Sequence, residues 1–410
     1  MSKYIAGLDI GTTKIAAIIA EVNGSLEPTI IGVGTSPSDG LRRGVVVNLD
    51  KTIRSIQAAI EEAERMAGVQ IDEVFAGIAG EHIRSINARG VVAVAGPNHE
   101  ITPADIRRVI DAAKAVALPI DREVLHILPQ EFIVDDQHGI KDPVGMSGVR
   151  LEAEVHIVTG AITSAQNIYR SISRAGMQTM DLVLEPLASS YSVLGEDEKE
   201  LGVIVMDLGG GTTDIAMFFE ECIRHTAVVG LGGKSITNDL ALGLRTPIDQ
   251  AENIKIQHGC AIRKPGFRDE TIDVPGVGGR PERRLSKAYL VDIIQPRMEE
   301  ILTLAHREIK RSNYVHLMTA GLVLTGGGSL LEGTVELAEE IFDMSVKLGV
   351  PNKFNGLTDL VQSPIHATGV GLIHYGIQHQ GDEFLGDSEQ GLFPWIMGRM
   401  RKWFNGRYPA

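Results

Sequence analysis

The chain has 410 residues, 43% of them hydrophobic and 22% charged, with a formal net charge of -14. This length allows two or three domains with filled cores, and the acidic balance argues against nucleic acid as a main partner. The first residues do not form a secretory signal, and no apolar run reaches the roughly 18 residues of a membrane span. Two cysteines without metal-type spacing fit a reducing compartment, so the composition predicts a cytoplasmic α/β protein.

An apolar strand that ends at Asp9 opens the chain, and a Gly-Thr turn and a second apolar strand follow it. A second copy of this pattern begins near Asp207. The copies share Asp-apolar-Gly, Thr-Thr and Ile-Ala, which indicates two related halves that each contain a β-hairpin.

These two turns have the composition of a phosphate site. Glycines let backbone N–H groups approach phosphate oxygens, and an aspartate at the end of a strand can hold hydrated Mg2+. One such turn is typical of many strand connections, but two copies across a cleft favour a nucleotide, with Lys14 adding positive charge. Asp9 and Asp207 are the predicted magnesium residues. The predicted phosphate residues are Asp9, Gly11, Thr12, Thr13, Lys14, Asp207, Gly209, Gly210, Gly211, Thr212 and Thr213.

The segment between the two copies is predicted to contain an inserted unit. The stretch from Thr52 to Gly68 has helical spacing and a glycine stop. A second helix opens with Thr102 as N-cap, Pro103 in its first position and Asp105 in its first turn. Because strand-like stretches at 90–96, 123–134 and 150–160 surround this helix, residues 83–163 are expected to form a small α/β subdomain.

After the second turn, the sequence predicts two short helices, "GGKSITNDLALGL" and "PIDQAENIKIQHG", a charged loop rich in Gly and Pro, and one long helix. A third glycine turn, Gly326, Gly327, Gly328 and Ser329, follows the strand "LVLT". It is expected to lie along a purine or ribose at a helix N-terminus, although a tight strand-to-helix connection has the same composition. The ordered body is expected to end near Gly376.

The C-terminal stretch "LFPWIMGRMRKWFNGR" is basic and aromatic in an acidic chain. It follows a solvated linker at 377–391, and its apolar residues have helical spacing. Residues 392–410 are therefore predicted to form an amphipathic helix on an anionic inner membrane surface, the alternative being a terminal helix that docks on its own core. The predicted membrane-binding residues are Phe393, Trp395, Ile396, Met397, Arg399, Met400, Arg401, Lys402, Trp403 and Phe404.

Several of these segments carry a resemblance. The two phosphate turns, "LTGGGS", "EPLASSY" at Glu185 and "ATGVGL" at Ala367 are similar to the nucleotide-site motifs of the actin, heat-shock chaperone and sugar kinase superfamily. The stretch from Leu128 to Gly160 closely resembles the signature of the FtsA family of bacterial cell-division proteins. The resemblance implies an actin-like α/β fold, which is a duplicated ribonuclease H-like fold, with an inserted subdomain 1C and a C-terminal amphipathic helix.

The resemblance also implies a function and a division into subdomains. It implies an ATP-binding, self-associating protein that tethers FtsZ filaments to the cytoplasmic face of the cell membrane at the division septum and recruits later division proteins. Its implied subdomains are 1A (1–82 and 164–197), 1C (83–163), 2A (198–230 and 313–376) and 2B (231–312), followed by the linker and the membrane helix.

Further site residues follow from the resemblance. It implies that Glu252 and Lys255 contact ribose and adenine, with Gly232 and Gly233 beside the nucleotide, although the spacing alone indicates a surface ion pair. Glu185 matches a position that orients the attacking water, but an acid there also stabilises the helix dipole. We therefore expect ATP and Mg2+ binding with at most slow hydrolysis. The implied contacts for the C-terminal tail of FtsZ are Asn238, Arg297 and Glu300. The basic stretch "GRPERR", with Arg284, is expected to attract an acidic peptide as well, although arginines are also common as solvated surface.

Other functions stay open at this stage. A pilus-assembly actin homologue can share the inserted subdomain, although the basic aromatic tail favours the FtsA family. A sugar or acid kinase would need a substrate pocket, and a chaperone would need a peptide-binding domain for which the residues past Gly376 are too few. The scattered histidines and the two cysteines predict no further metal or nucleophile chemistry.

Overall fold

The computed structural model describes residues 3–23, 27–116, 118–267, 270–278 and 280–379. Most of the predicted linker, and the whole predicted membrane helix at 392–410, lie outside these residues. Within the described ranges, no helix has the length and apolar character needed to cross a membrane.

The first part of the chain alternates strands and helices. Its elements are β1 (Lys3–Ile10), β2 (Lys14–Val22), β3 (Thr29–Pro37), β4 (Leu41–Arg42), β5 (Val45–Val46), α1 (Leu49–Ala67), β6 (Glu73–Ile78), β7 (Arg84–Ala93), α2 (Pro103–Lys114), β8 (Arg122–Val134), β9 (Gln137–Ile140), β10 (Arg150–Ala161), α3 (Ile162–Arg174), β11 (Gln178–Leu184), α4 (Glu185–Val193) and α5 (Glu196–Leu201).

The second part repeats the opening hairpin and adds a helical region. Its elements are β12 (Val203–Leu208), β13 (Thr213–Phe219), β14 (Cys222–Val229), α6 (Gly233–Leu244), α7 (Ile248–His258), β15 (Thr271–Val274), β16 (Arg283–Ser286), α8 (Lys287–Arg311), β17 (Leu322–Thr325), α9 (Thr334–Phe342), β18 (Val346–Leu348), β19 (Asn355–Gly356), α10 (Thr358–Val361) and α11 (Ala367–His379).

Two mixed sheets form two lobes. The first has the order β11-β6-β1-β2-β3-β19 and the second the order β14-β13-β12-β17-β18. In each lobe an antiparallel hairpin, β1 with β2 or β12 with β13, has a parallel neighbour on its other side. The strand β12 is buried along its whole length because helices cover both faces of the sheet. The repeated arrangement confirms the two related halves and their hairpins.

The inserted unit has its own sheet and core. Its sheet has the order β7-β10-β8-β9, and α2 packs on it. Thr102 and Asp105 form the N-terminal capping box of α2, as the sequence predicts. The strand expected at 90–96 begins earlier, at Arg84, because β7 pairs with β10 from Arg84 onward.

Polar side chains join the insert to the edge strand of the second lobe. Gln130 Nε2 on β8 donates to the carbonyl oxygen of Ile223 on β14 at 2.7 Å. His156 on β10 is 1% exposed, and its ring nitrogens lie 2.6 Å from Asn87 Oδ1 and 3.0 Å from Thr226 Oγ1. We call this contact between the insert and β14 the seam.

Three local expectations need correction. Helix α1 begins at Leu49 rather than Thr52, because Asn48 caps it by accepting from Lys51 N–H. The expected Gly- and Pro-rich loop contains the hairpin of β15 and β16, in which Ile272 and Val274 alternate with exposed neighbours. Helix α11 continues to His379, so residues 377–379 of the predicted linker are helical.

Candidate functional site

The two hairpin turns meet face to face between the lobes. A Cβ atom built on Gly210 would lie 2.6 Å from Thr13 Oγ1, and one on Gly211 would lie 2.8 Å from the Cβ of Thr12. Only glycine permits such an approach of the backbone of one turn to the threonine side chains of the other. The structure therefore brings together the two turns that the sequence predicts to bind phosphate.

Asp207 lies at the centre of this cleft and is 7% exposed. Its Oδ2 accepts hydrogen bonds from Ser189 Oγ at 3.4 Å and Thr368 Oγ1 at 3.3 Å. Burial, reinforced by the charge of Asp9, raises the pKa of Asp207 to about 7. The third glycine turn reaches the same carboxylate, because a Cβ on Gly326 would overlap Asp207 Oδ1.

Lys14 balances part of this negative charge. Burial raises the pKa of Asp9 to about 6, and the charge of Lys14 opposes the rise. Lys14 Nζ donates to the carbonyl oxygen of Ile365 at 3.2 Å and lies 3.5 Å from His366 Nδ1. Burial and Lys14 lower the pKa of His366 to about 4, so this ring is neutral near pH 7. The first turn is thus tied to the segment that precedes α11.

Two further acids face the cleft. Asp214 follows the second Thr-Thr pair, at the position that Lys14 holds in the first copy, and its Oδ2 accepts from Thr212 Oγ1 at 2.7 Å. Asp214 Oδ1 is buried without a hydrogen-bond partner among the described residues, and burial raises its pKa to about 7. Burial also raises the pKa of Glu185 well above its usual value, with added repulsion from Asp9, Asp214 and Asp207.

The carboxylates fit a hydrated magnesium ion. Mg2+ prefers oxygen ligands and keeps several of its waters, so it needs few protein groups. In the part of the chain that the structure describes, no group of three or more His, Cys, Asp or Glu residues is placed to hold a metal ion. Asp9 and Asp207 therefore suit a cation whose other ligands are water and phosphate oxygens.

Helices α6 and α7 extend the cleft on one side. The N–H of Gly233, which follows Gly232, donates to the carbonyl oxygen of Gly209 at 2.9 Å. Lys255 Nζ donates to the carbonyl oxygen of Gly233 at 3.2 Å and to Glu252 Oε2 at 2.8 Å. The Lys255 side chain is only 13% exposed, so this pair lies beside the second phosphate turn rather than on open surface.

The residues proposed for partner docking are only partly together. On α8, Arg297 pairs with Asp239 of α6 at 2.5 Å and with Glu300, beside the exposed Asn238. Arg284 lies on β16, just before α8 begins, and Arg297 lies about three turns into that helix. Arg284 pairs with Asp273 at 3.1 Å. Arg297 and Glu300 are thus in direct contact, Asn238 is next to Asp239 in α6, and Arg283, the neighbour of Arg284 on β16, contacts the end of α6.

The sequence placed Ser189 and Thr368 within stretches similar to nucleotide-site motifs but indicated no role for either side chain, and it did not single out His366 or Asp214. The first three are far from Asp207 or Lys14 in the chain, so no spacing indicates their contacts. Asp214 was detectable, since it immediately follows the second Thr-Thr pair. Ser329 is 4% exposed and its Oγ donates to the carbonyl oxygen of Gly326, so it stabilises the third turn from inside. Gly327 and Gly328 continue that turn as a 3-10 helix, and α9 begins only at Thr334.

Comparisons with known families and relatives cover nearly the whole chain. The family model for cell division protein FtsA matches residues 204–371, and the model for the SHS2 domain inserted in FtsA matches residues 80–159. A cell division protein FtsA from Pseudomonas aeruginosa is 52% identical, covering 99% of this chain and 98% of the relative. The corresponding protein from Neisseria meningitidis is 44% identical, covering 99% of each.

Solved structures with low sequence identity share the fold. A PilM-PilN type IV pilus biogenesis complex matches with a TM-score of 0.67 at 17% identity, covering 91% of this chain and 98% of that one. MreB5 of Spiroplasma citri bound to ADP matches with a TM-score of 0.58 at 12% identity, covering 94% and 99%. These likenesses confirm the predicted actin-like fold, and the SHS2 match confirms the inserted subdomain.

Proposed function

The chain belongs to the FtsA family of cell-division proteins, and we propose that it binds ATP with Mg2+ and links FtsZ filaments to the cytoplasmic face of the cell membrane at the division septum. The observation that carries the nucleotide part is the meeting of three glycine turns at Asp207. MreB5, which has this fold, has been solved with ADP and with AMPPNP, and this supports the same ligand class here.

The charges of the cleft support a polyphosphate with its cation. Four acids with raised pKa values face one another in the cleft: Asp9, Asp207, Asp214 and Glu185. Their ionised forms repel one another in the free cleft, and a divalent cation removes this repulsion. Lys14 supplies a positive charge for phosphate oxygens. When bound, Mg2+ would neutralise phosphate charge and be held through water by Asp9 and Asp207.

The surroundings of Glu185 support at most slow hydrolysis. A general base must be ionised to deprotonate water, and in the free cleft burial and the neighbouring acids raise the pKa of Glu185, which disfavours that form. Nucleotide then works as a switch that favours one conformation or assembly over another. The proposed role is therefore that of a nucleotide-dependent filament protein with at most slow turnover.

The partner part of the proposal concerns the face formed by α6 and α8. Arg297 stands between Asp239 and Glu300, so an acidic peptide can exchange for one of these acids while Asn238 offers amide hydrogen bonds. The tail of FtsZ is the proposed peptide, and later division proteins are further partners of the family role. Arg284 stays a proposed contact for the acidic peptide, since its neighbour Arg283 on β16 donates to the carbonyl oxygen of Leu244 at the end of α6.

The membrane part concerns residues 392–410. Their basic and aromatic composition suits an anionic leaflet, where each basic residue contributes about 1 kcal/mol. One copy of such a short segment binds weakly. Self-association into filaments would array many copies and multiply their avidity.

Vesicle cosedimentation tests the proposal as a whole. The intact chain and a chain ending at Gly391 are mixed with anionic vesicles, with and without Mg-ATP and a peptide of the FtsZ tail. We expect the intact chain to sediment, more strongly with Mg-ATP, and to carry the peptide with it. Sedimentation of the shortened chain, or phosphate transfer from ATP to a sugar or acid, would overturn the proposal.

Replacing Arg297 by Glu tests the docking face. Because the change reverses the charge between two acids, we expect affinity for the FtsZ tail to fall about tenfold, while ATP affinity stays unchanged. Arg311→Glu is a matched control, since Arg311 lies on the same helix and also pairs with an acid, Glu308. Equal peptide affinity for both variants, measured by fluorescence anisotropy, would remove Arg297 from the interface.

A further inference from the structure

Asp207 belongs to the second lobe, and its side-chain hydrogen bonds come from α4, which packs against strands of both lobes, and from α11, which packs in the first. Ser189 lies on α4 and Thr368 in the first turn of α11, and α11 packs against β1 and β6. We propose that Ser189 and Thr368 are positioning residues, which orient the Asp207 carboxylate for hydrated Mg2+. This inference rests on the proposed binding of ATP with Mg2+.

The geometry separates the two oxygens of the carboxylate. Both hydroxyls contact Oδ2, whereas Oδ1 lies beside the backbones of Gly209 and Gly326, where two glycine turns converge. An ionised carboxylate only accepts hydrogen bonds. Because the two hydroxyls hold Oδ2, Oδ1 is the oxygen left to accept a hydrogen bond from the water shell of a cation.

The hydroxyl protons have few other acceptors. Ser189 Oγ and Thr368 Oγ1 are 3.0 Å apart, so the two hydroxyls contact each other as well as Asp207. They have two protons between them, and at most one of these can lie in the hydrogen bond that joins the hydroxyls. The other proton is then free to point at Asp207. Ser189 is 0% exposed and Thr368 is 4% exposed, so bulk water does not readily replace a lost hydroxyl.

The crossing of the two helices fixes where the hydroxyls lie. A Cβ on Gly371 would lie 2.5 Å from the carbonyl carbon of Ala188, so the helices touch through their backbones at this point. Ser189 and Thr368 are close to this contact in their helices. A change in the crossing would therefore move both hydroxyls relative to Asp207.

A neighbouring serine provides a matched control. Ser190 is as buried as Ser189 and lies on the same helix, but its Oγ donates to the carbonyl oxygen of Leu187 at 2.7 Å. Ser190→Ala thus removes an equivalent buried hydroxyl without touching Asp207. Thr368→Val removes one hydroxyl at nearly constant volume, and Thr368→Ser keeps it.

The experiment measures the affinity of the full-length chain for a fluorescent ATP analogue, once with Mg2+ and once with EDTA. The dissociation constant in EDTA divided by that in Mg2+ reports the contribution of the metal. We expect Ser189→Ala and Thr368→Val each to lower this ratio about three- to tenfold, with the EDTA value unchanged. Ser190→Ala and Thr368→Ser should keep the ratio of the unaltered chain, and thermal melts confirm that each variant folds.

Asp207→Asn identifies the group through which the hydroxyls act. In that background, Thr368→Val should change the ratio by less than about twofold, because the positioned carboxylate is gone. A full effect of Thr368→Val in the Asp207→Asn background, or equal ratios for Thr368→Val and Ser190→Ala, would overturn the inference. An unaltered chain that binds no nucleotide under either condition would instead overturn the proposed function.

Discussion

The cleft and the seam are both polar and largely buried, but they differ in the kind of groups that they bring together. In the cleft, carboxylates with raised pKa values face one another, and Asp214 Oδ1 has no partner among the described residues. In the seam, Gln130 and His156 each have partners on β14. Buried carboxylates that face one another are typical of a binding site, whereas neutral hydrogen bonds such as those of Gln130 and His156 join two parts of a fold, even though Arg224 Nε and His225 Nε2 on β14 lack partners among the described residues.

Reversing the charge of Lys14 gives the largest expected effect and tests the cleft. Lys14→Glu removes the cation beside Asp9 and Asp207 and adds another acid, so affinity for Mg-ATP should fall about a hundredfold. Lys51→Glu makes the same charge change on the exposed surface of α1 and should have little effect. Isothermal titration would contradict the ligand-site assignment if both variants bound Mg-ATP equally.

Replacing Gln130 by Leu tests the seam. The change leaves the carbonyl oxygen of Ile223 buried without its donor, so the free energy of unfolding should fall by about 1–3 kcal/mol. ATP affinity should not change. Gln137→Leu, on the exposed face of β9, is the control. Denaturant unfolding that gave no difference between the two leucine variants would show that the seam contributes nothing to stability.

The smallest expected effect is a pH dependence, which has opposite signs for His156 of the seam and Asp214 of the cleft. Burial lowers the pKa of His156 to about 3, so between its usual value of 6.5 and about 3 the unfolded chain binds more protons, and stability falls as pH falls. The pKa of Asp214 is raised to about 7 from 3.8, so the folded chain binds more protons in that window, and stability rises as pH falls. Each slope is at most about 1.4 kcal/mol per pH unit.

Two variants separate these slopes. His156→Gln keeps partners for Asn87 and Thr226 and should remove a loss of stability between about pH 7 and 5. Asp214→Asn should remove a gain over the same range. Nucleotide-free melts at the two pH values measure both, and slopes that changed in the same direction would contradict the comparison.

The sequence predicted the parts of the fold that depend on local chemistry. The Gly-Thr turns, the capping box of α2 and the glycine stop of α1 all follow from neighbouring residues. The glycine turns of the cleft were predictable because they recur. Contacts such as Thr368 with Asp207 and Gln130 with Ile223 were not, because they join distant segments whose approach depends on the packed fold.

The C-terminal end of α11 has a mechanical consequence. The side chain of Tyr375 is fully buried, and its hydroxyl donates to Asp181 Oδ2 on β11 at 2.5 Å, while its ring stacks on His379 at 3.9 Å. The chain beyond 379 therefore starts from a point that is fastened to the first sheet. A force applied to the chain beyond 379 would reach Tyr375 and the first sheet before it reached Thr368, at the other end of α11.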